Sequence, residues 1–186
     1  MLNKILPIVL AGGKSSRMGR DKRFVSFNDT CFLDNTINIL YKVGFSNVLV
    51  SGLCINYNSV IDEFLSIGPS SAFYKFLSSG DYVYYDHLLF IPIDMPFLHE
   101  CFIFNMFLNI KKNTTVYYDN FNFPLLLSKD FLSRKIFSEV VFFNESSNKS
   151  VKIFLDNILV SRISYDDAFV FANINNVFDL YFFGII

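Results

Sequence analysis

The sequence carries no excess of basic charge: 16 lysines and arginines stand against 17 aspartates and glutamates, a formal net charge of -1. A chain so balanced has no long-range field to gather nucleic acid or an acidic membrane surface, so any phosphate ligand must be met by a local cluster. Cysteine is scarce. Cys31, Cys54 and Cys101 are odd in number and too widely spaced for a CxxC metal or redox motif, which points to small buried thiols in a reducing, cytoplasmic setting. No run of about 18 uninterrupted apolar residues exists. Even Phe102 to Ile110 is broken by Asn105 and Asn109, so no membrane-spanning helix and no membrane partner are expected. The apolar stretch within Met1 to Ala11 is short, contains Pro7 and leads into a cationic segment, which argues against a secretory signal. Tryptophan is absent and Gly and Pro are few beside abundant Phe, Ile, Asn, Lys and Tyr, a bias that resembles an AT-rich genome and says nothing about mechanism.

What is present is apolar and alternating. A chain of 186 residues, just over half of them apolar, suits one domain over residues 1–186. A domain of that size buries about 70% of its unfolded surface. Ile5 to Leu10 is a continuous apolar run that reads as a central parallel strand buried on both faces. Asp34 to Val43 has helical spacing with Gly44 as its stop, and Asn47 to Ser51 supplies the next strand. Further along, Gly68-Pro69-Ser70 turns into a helix through Leu77, Leu88 to Ile93 forms a strand ending at Asp94, and a helix follows over Cys101 to Ile110. Strands at Thr114 to Tyr118, Phe123 to Leu127 and Ile158 to Ile163, helices from Lys129 and over Ser150 to Asn157, and a closing strand and helix around Ala172 to Tyr181 complete the pattern. There is no internal repeat. The alternation predicts an α/β fold, a three-layer α/β/α sandwich on a Rossmann-like, mostly parallel sheet whose ligands bind at the carboxyl ends of the strands.

Two features at predicted strand ends carry chemistry. Lys14, Arg17, Arg20, Lys22 and Arg23 crowd into ten residues whose backbone is loosened by the nearby Gly12, Gly13 and Gly19. Glycine lets backbone N–H groups approach phosphate oxygens, and the cations offset the charge of about -4 on a triphosphate. A solvated basic loop is the plain alternative, but a loop issuing from a buried strand favours phosphate. Spacing excludes the P-loop, because the glycine required five positions before Gly13 is Ile8, and GxGxxG is missing as well. The second feature is Asp94, at the end of an apolar strand in Ile91-Pro92-Ile93-Asp94-Met95-Pro96. A carboxylate held there can bind Mg²⁺ and bridge it to substrate phosphates; the alternative is a helix N-cap. His87 and His99, isolated beside apolar neighbours, read as surface or supporting residues.

Leu10-Ala11-Gly12-Gly13-Lys14-Ser15-Ser16-Arg17-Met18-Gly19, followed by Asp21-Lys22, resembles the molybdenum cofactor guanylyltransferase family, within the nucleotidyltransferases that share a LAGGxSxRMGxDK-type loop. Weaker matches follow in order: Asp62 with Gly68-Pro69, Pro92 to Phe97, Pro124 before a strand, and Asn173-Ile174-Asn175 with Asp179-Leu180. The resemblance implies a sheet of the nucleotide-diphospho-sugar transferase type and transfer of GMP from GTP to molybdopterin or its molybdenum-bearing form, with Mg²⁺ as cofactor and pyrophosphate leaving. It implies that Leu10, Ala11, Gly12 and Gly13 hold the nucleotide through the backbone and that Lys22 holds the phosphates. Asp62 would take the guanine nucleotide and Asp94 the metal, while Arg17, Lys22 and Asp94 serve catalysis. Asn173 and Asn175 would sit on the pterin-phosphate side, and cofactor-delivering and cofactor-accepting enzymes would be partners. The family turn GPLxG reads Gly68-Pro69-Ser70-Ser71-Ala72 here.

Two other readings differ in definite ways. Cytidylyl relatives usually carry LAAG where this chain has Leu10-Ala11-Gly12-Gly13, and sugar-phosphate enzymes tend to be longer. A binding module without turnover would have no need of Asp94.

Overall fold

The computed structural model describes residues 1–12, 18–52, 54, 56–60, 81–112, 114–129, 155 and 159–185. Strand β1 (Ile5–Leu10) is buried at every position, as a continuous ILPIVL run demands when both faces are covered. Among the described residues it is the third strand of a seven-stranded sheet made with β4 (Leu49–Ser51), β5 (Ser59–Val60), β6 (His87–Pro92), β7 (Thr115–Tyr118), β8 (Leu125–Ser128) and β9 (Val160–Ile163), in the order β5-β4-β1-β6-β8-β7-β9. β8 runs antiparallel to β6 and β7, and all other neighbours are parallel. The predicted mostly parallel sheet is therefore present.

Alternation along the strands sorts the core into two layers. Ile5, Val9, Leu89, Ile91, Val116, Tyr118 and Leu126 point to one cluster, shared with the helices α1 (Phe32–Val43) and α2 (Glu100–Leu108). Leu6, Ile8, Leu88, Phe90, Leu125 and Leu127 point to the opposite face and are buried equally well, as a sandwich requires. Each large side chain so buried contributes roughly 1.5 to 3 kcal/mol.

α1 presents Phe32, Leu33, Thr36, Ile37, Ile39, Leu40 and Val43 to the core and stops where the sequence predicts, at Gly44. There φ is +104°, and the N–H of Phe45 reaches back to the Leu40 carbonyl at 3.2 Å. The hairpin β2–β3 (Ser26–Phe27, Thr30–Cys31) that delivers the chain into α1 is not anticipated from the sequence. Its turn residues Asn28 and Asp29 both have positive φ, the conformation a two-residue hairpin turn requires and these two residue types tolerate.

The expected closing strand is corrected. After a 3-10 turn at Ala168–Phe171, residues 172–175 run as coil into helix α3 (Val177–Phe182). Ile174 donates to the Asp94 carbonyl at 2.8 Å, a single tie to a strand end rather than a ladder. The turn predicted at Gly68 to Ala72 with its helix, and the helices beyond Lys129 and over Ser150 to Asn157, lie outside the described residues, apart from isolated Leu155. No helix among the described residues is long and apolar enough to cross a membrane.

Candidate active site

The carboxyl ends of three parallel strands are level. Leu10 stands opposite Ser51 on one side and Pro92 on the other. The ladder extends one residue further, with Ala11 N–H donating to the Ser51 carbonyl at 3.1 Å and Ile93 N–H to the Leu10 carbonyl at 3.3 Å. The Ala11 amide is thus committed to the sheet. The Gly12 N–H, next along, takes no partner among the described residues. Gly52 leaves room beside it: its φ is +112°, and a Cβ built there would lie 3.3 Å from the Gly12 nitrogen. Gly52 was not among the residues expected at the site, although a glycine directly after a predicted strand was the available signal.

The chain re-enters the described residues at Met18, which is buried, and Gly19, whose φ of +64° favours glycine although a Cβ placed there would meet nothing within 4 Å. Asp21 then opens a 3-10 turn at Lys22–Phe24, its carboxylate accepting from the Arg23 N–H at 3.0 Å. The same carboxylate takes the Arg23 guanidinium at 2.5 to 3.0 Å, while Arg23 Nη1 reaches Cys54 Sγ at 3.6 Å. These bonds to Arg23 hold the Asp21 carboxyl below its ordinary range, and the bond to Asp21 raises the guanidinium in turn. Of the five cations expected at the loop, Arg23 is ion-paired with Asp21. Arg20 is exposed. Gly13, Lys14 and Arg17 lie outside the described residues, as does Asp62.

This turn aims Lys22 across the strand ends. Its Nζ lies 3.0 Å from Asp94 Oδ2 and 2.9 Å from Asn175 Oδ1, joining residues 72 and 153 positions apart. The Lys22 and Asp94 side chains are 16% and 21% exposed, so the pair is shielded yet reachable by a ligand. Asp94 is not the cap of the following helix; His99 is, accepting from Cys101 N–H at 3.5 Å. His87 opens β6. Asn173 is exposed, and its carbonyl receives the Asn175 side-chain amide at 3.5 Å. The Asp94 and Asn175 acceptors facing Lys22 are a carboxylate and an amide oxygen, both hard oxygen ligands. Among the described residues no group of three or more His, Cys, Asp or Glu converges.

A mostly parallel α/β sheet that gathers a lysine and a carboxylate at its carboxyl edge places them where proteins of this architecture take their ligands. The chain belongs to the family of the MobA-like NTP transferase domain, whose sequence model matches residues 7–141. It is 25% identical to a molybdenum cofactor guanylyltransferase of Xanthomonas euvesicatoria over 84% of this chain and 81% of that one. A probable molybdenum cofactor guanylyltransferase of Pyrococcus horikoshii is 35% identical over 54% of this chain and 53% of its own. Among solved structures, the molybdopterin-guanine dinucleotide biosynthesis protein A of Archaeoglobus fulgidus superposes with a TM-score of 0.70 at 14% identity, covering 95% of this chain and 94% of that one. A Mycobacterium tuberculosis protein solved as a complex with manganese superposes with a TM-score of 0.65 at 14% identity, covering 96% of each chain. These two share the fold.

Proposed function

We propose that the chain, as a single domain over residues 1–186, transfers GMP from GTP to the terminal phosphate of molybdopterin or its molybdenum-bearing form. The observation that carries this reading is the meeting of Lys22, Asp94 and Asn175 at the strand ends that also carry the open Gly12 amide. The names of the guanylyltransferase relatives support the choice of substrates. Gly12, in place of the alanine usual in cytidylyl relatives, supports guanine.

A phosphate oxygen of the pterin attacks the α-phosphorus of GTP in line. The new P–O bond forms as the bond to the β-phosphate oxygen breaks, and pyrophosphate leaves with that electron pair. Gly12 donates its N–H to a phosphate oxygen. Lys22 turns its ammonium from Asp94 to the phosphates while keeping its bond to Asn175, and offsets charge on the leaving group. Arg17 and Gly13 are assigned to the same phosphates, Asp62 to the guanine nucleotide, and Asn173 and Asn175 to the pterin phosphate. Asp94 would hold a divalent ion, Mg²⁺, which would supply charge neutralisation when bound. The manganese complex of a structural relative supports a divalent ion as cofactor. The cysteines expected as buried thiols are half-buried at Cys31 and Cys54 and exposed at Cys101; the proposed setting is the cytoplasm, where cofactor-delivering and cofactor-accepting enzymes would be met.

The test is pyrophosphate release from GTP with Mg²⁺ and molybdopterin, for the natural chain and for Asp94→Ala. Release that depends on Asp94 is expected. Release unchanged by the substitution would remove Asp94 from the metal role, and none in either protein would favour a binding module. Calorimetry with GTP, CTP and UTP tests the base, and tighter CTP binding would overturn the guanylyl assignment.

A further inference from the structure

We infer that Asp179 is a positioning residue for Lys22, acting through Asn175; the inference rests on the nucleotidyl-transfer reading for its catalytic consequence. A lysine ammonium on a four-carbon stem keeps one orientation only if its acceptors are themselves fixed. Asp94 is fixed by its strand end. Asn175 sits on the exposed end of the coil at 172–175, its side-chain amide donating to the Asn173 carbonyl at a long 3.5 Å.

Asp179 supplies the missing constraint. Its Oδ2 accepts from the Asn175 N–H at 2.6 Å and from the Asn176 N–H at 3.1 Å, and its Oδ1 accepts from Asn176 Nδ2 at 3.1 Å. Asn176 Oδ1 in turn accepts the Asp179 N–H at 3.1 Å, completing a capping box at the start of α3. A capping box needs only the amide of the cap residue, Asn176. The shortest bond here goes one residue further back, to Asn175, beyond what ending the helix requires. On the other side of Asn175, Ile174 is fully buried and tied to the Asp94 carbonyl at 2.8 Å. Asn175 is therefore clamped between the strand end that carries Asp94 and the helix start that carries Asp179. With the clamp closed, its Oδ1 meets Lys22 at 2.9 Å.

The experiment compares the natural chain, Asn175→Ala, Asp179→Ala and the double variant, with Asp179→Asn as the milder change if Asp179→Ala does not fold. Three readouts are taken: thermal melting, the reactivity of the Lys22 amino group toward reductive methylation without nucleotide, and kcat and KM for pyrophosphate release from GTP. Asp179→Ala is expected to raise Lys22 labelling severalfold and to lower kcat by on the order of tenfold to a hundredfold, the usual cost of losing a group that orients a ligand-binding residue. In the Asn175→Ala background the same change should move labelling and kcat less than about twofold while lowering the melting temperature as before. Full-sized effects in that background, or none in the natural one, would overturn the inference. If labelling follows the expected pattern but the natural chain releases no pyrophosphate, the positioning stands and the functional reading falls.

Discussion

The Lys22 ammonium lies 3.0 Å from Asp94 Oδ2, so the resting site is filled by a cation of its own. A triphosphate that takes Lys22 therefore frees Asp94 at the same moment. Removing one oriented charge donor commonly costs about 3 to 4 kcal/mol in the transition state, so Lys22→Ala should lower kcat/KM by about a hundredfold to a thousandfold. A loss below tenfold would put Lys22 outside contact with the phosphates. The partly exposed ion pair itself contributes at most about 1 kcal/mol to folding, so melting should fall by no more than about 2 to 4 °C. In Lys22→Met, Mn²⁺ titrated without nucleotide should bind more tightly than to the natural chain. Equal affinity would mean that the ammonium does not compete for these oxygens.

Gly52 and Gly44 form a matched pair of tests. Both have strongly positive φ, +112° and +104°, and at both a Cβ would meet an atom at 3.3 Å. At Gly44 that atom is the end of the Leu2 side chain; at Gly52 it is the backbone nitrogen of Gly12. Alanine at either position should cost about 1 to 3 kcal/mol in backbone strain. Only Gly52→Ala should also weaken GTP binding, measured by calorimetry, because it alone crowds the open amide. Equal GTP affinity in the two variants would show that the Gly12 N–H is not used.

The fold was legible where one physical signal dominated. The apolar run of β1, the helical spacing before Gly44 and the carboxylate at Asp94 each follow from local pattern alone. The registers that bring Leu10, Ser51 and Pro92 level are set by long-range pairing, and no local pattern reveals them. Lys22 and Asp94 could be named as site residues from motif and strand-end logic. Their direct contact could not, because it depends on the turn that Asp21 caps. Asn175 was expected on the pterin side, and only the fold brings its amide oxygen to Lys22. The pairing of Arg23 was hidden for a related reason: two residues beyond Asp21, it folds back on that carboxylate, which a count of positive charges does not register.

Asp21 offers an acid-side test of that turn. Arg23 holds its carboxyl below the ordinary carboxylate value, so the folded state favours the charged form. The stability this gives is present above the unfolded-state value and is lost as pH falls through the lower folded one. Asp21→Asn should thus destabilise the chain at neutral pH and matter little once the medium is acidic enough to protonate Asp21. Replacing a capping side chain by alanine costs about 1 kcal/mol, so Asp21→Ala gives the neutral-pH reference. Chemical denaturation at stepped pH measures both, and a difference between Asp21→Asn and the natural chain that persists undiminished into acid would contradict the pairing.

Tyr118 provides the alkaline counterpart within the core layer beneath α2. Its hydroxyl donates to the Phe102 carbonyl at 2.8 Å and receives Asn105 Nδ2 at 3.3 Å, inside a cluster of aromatic rings that includes Phe102, Tyr165 and Phe171. Burial is the main cause that pushes its pKa up to about 12, from an ordinary 10. The folded state therefore favours the neutral phenol. That contribution is whole below pH 10 and is lost progressively as pH rises from the unfolded value through the folded one near 12. On this account the natural chain loses on the order of 2 kcal/mol between those limits. Tyr118→Phe, which cannot ionise, is destabilised at neutral pH by the lost hydrogen bond to Phe102, about 1 kcal/mol, yet has a flatter alkaline profile. The two stability curves should converge above pH 10. Parallel curves would assign the alkaline loss to some other group.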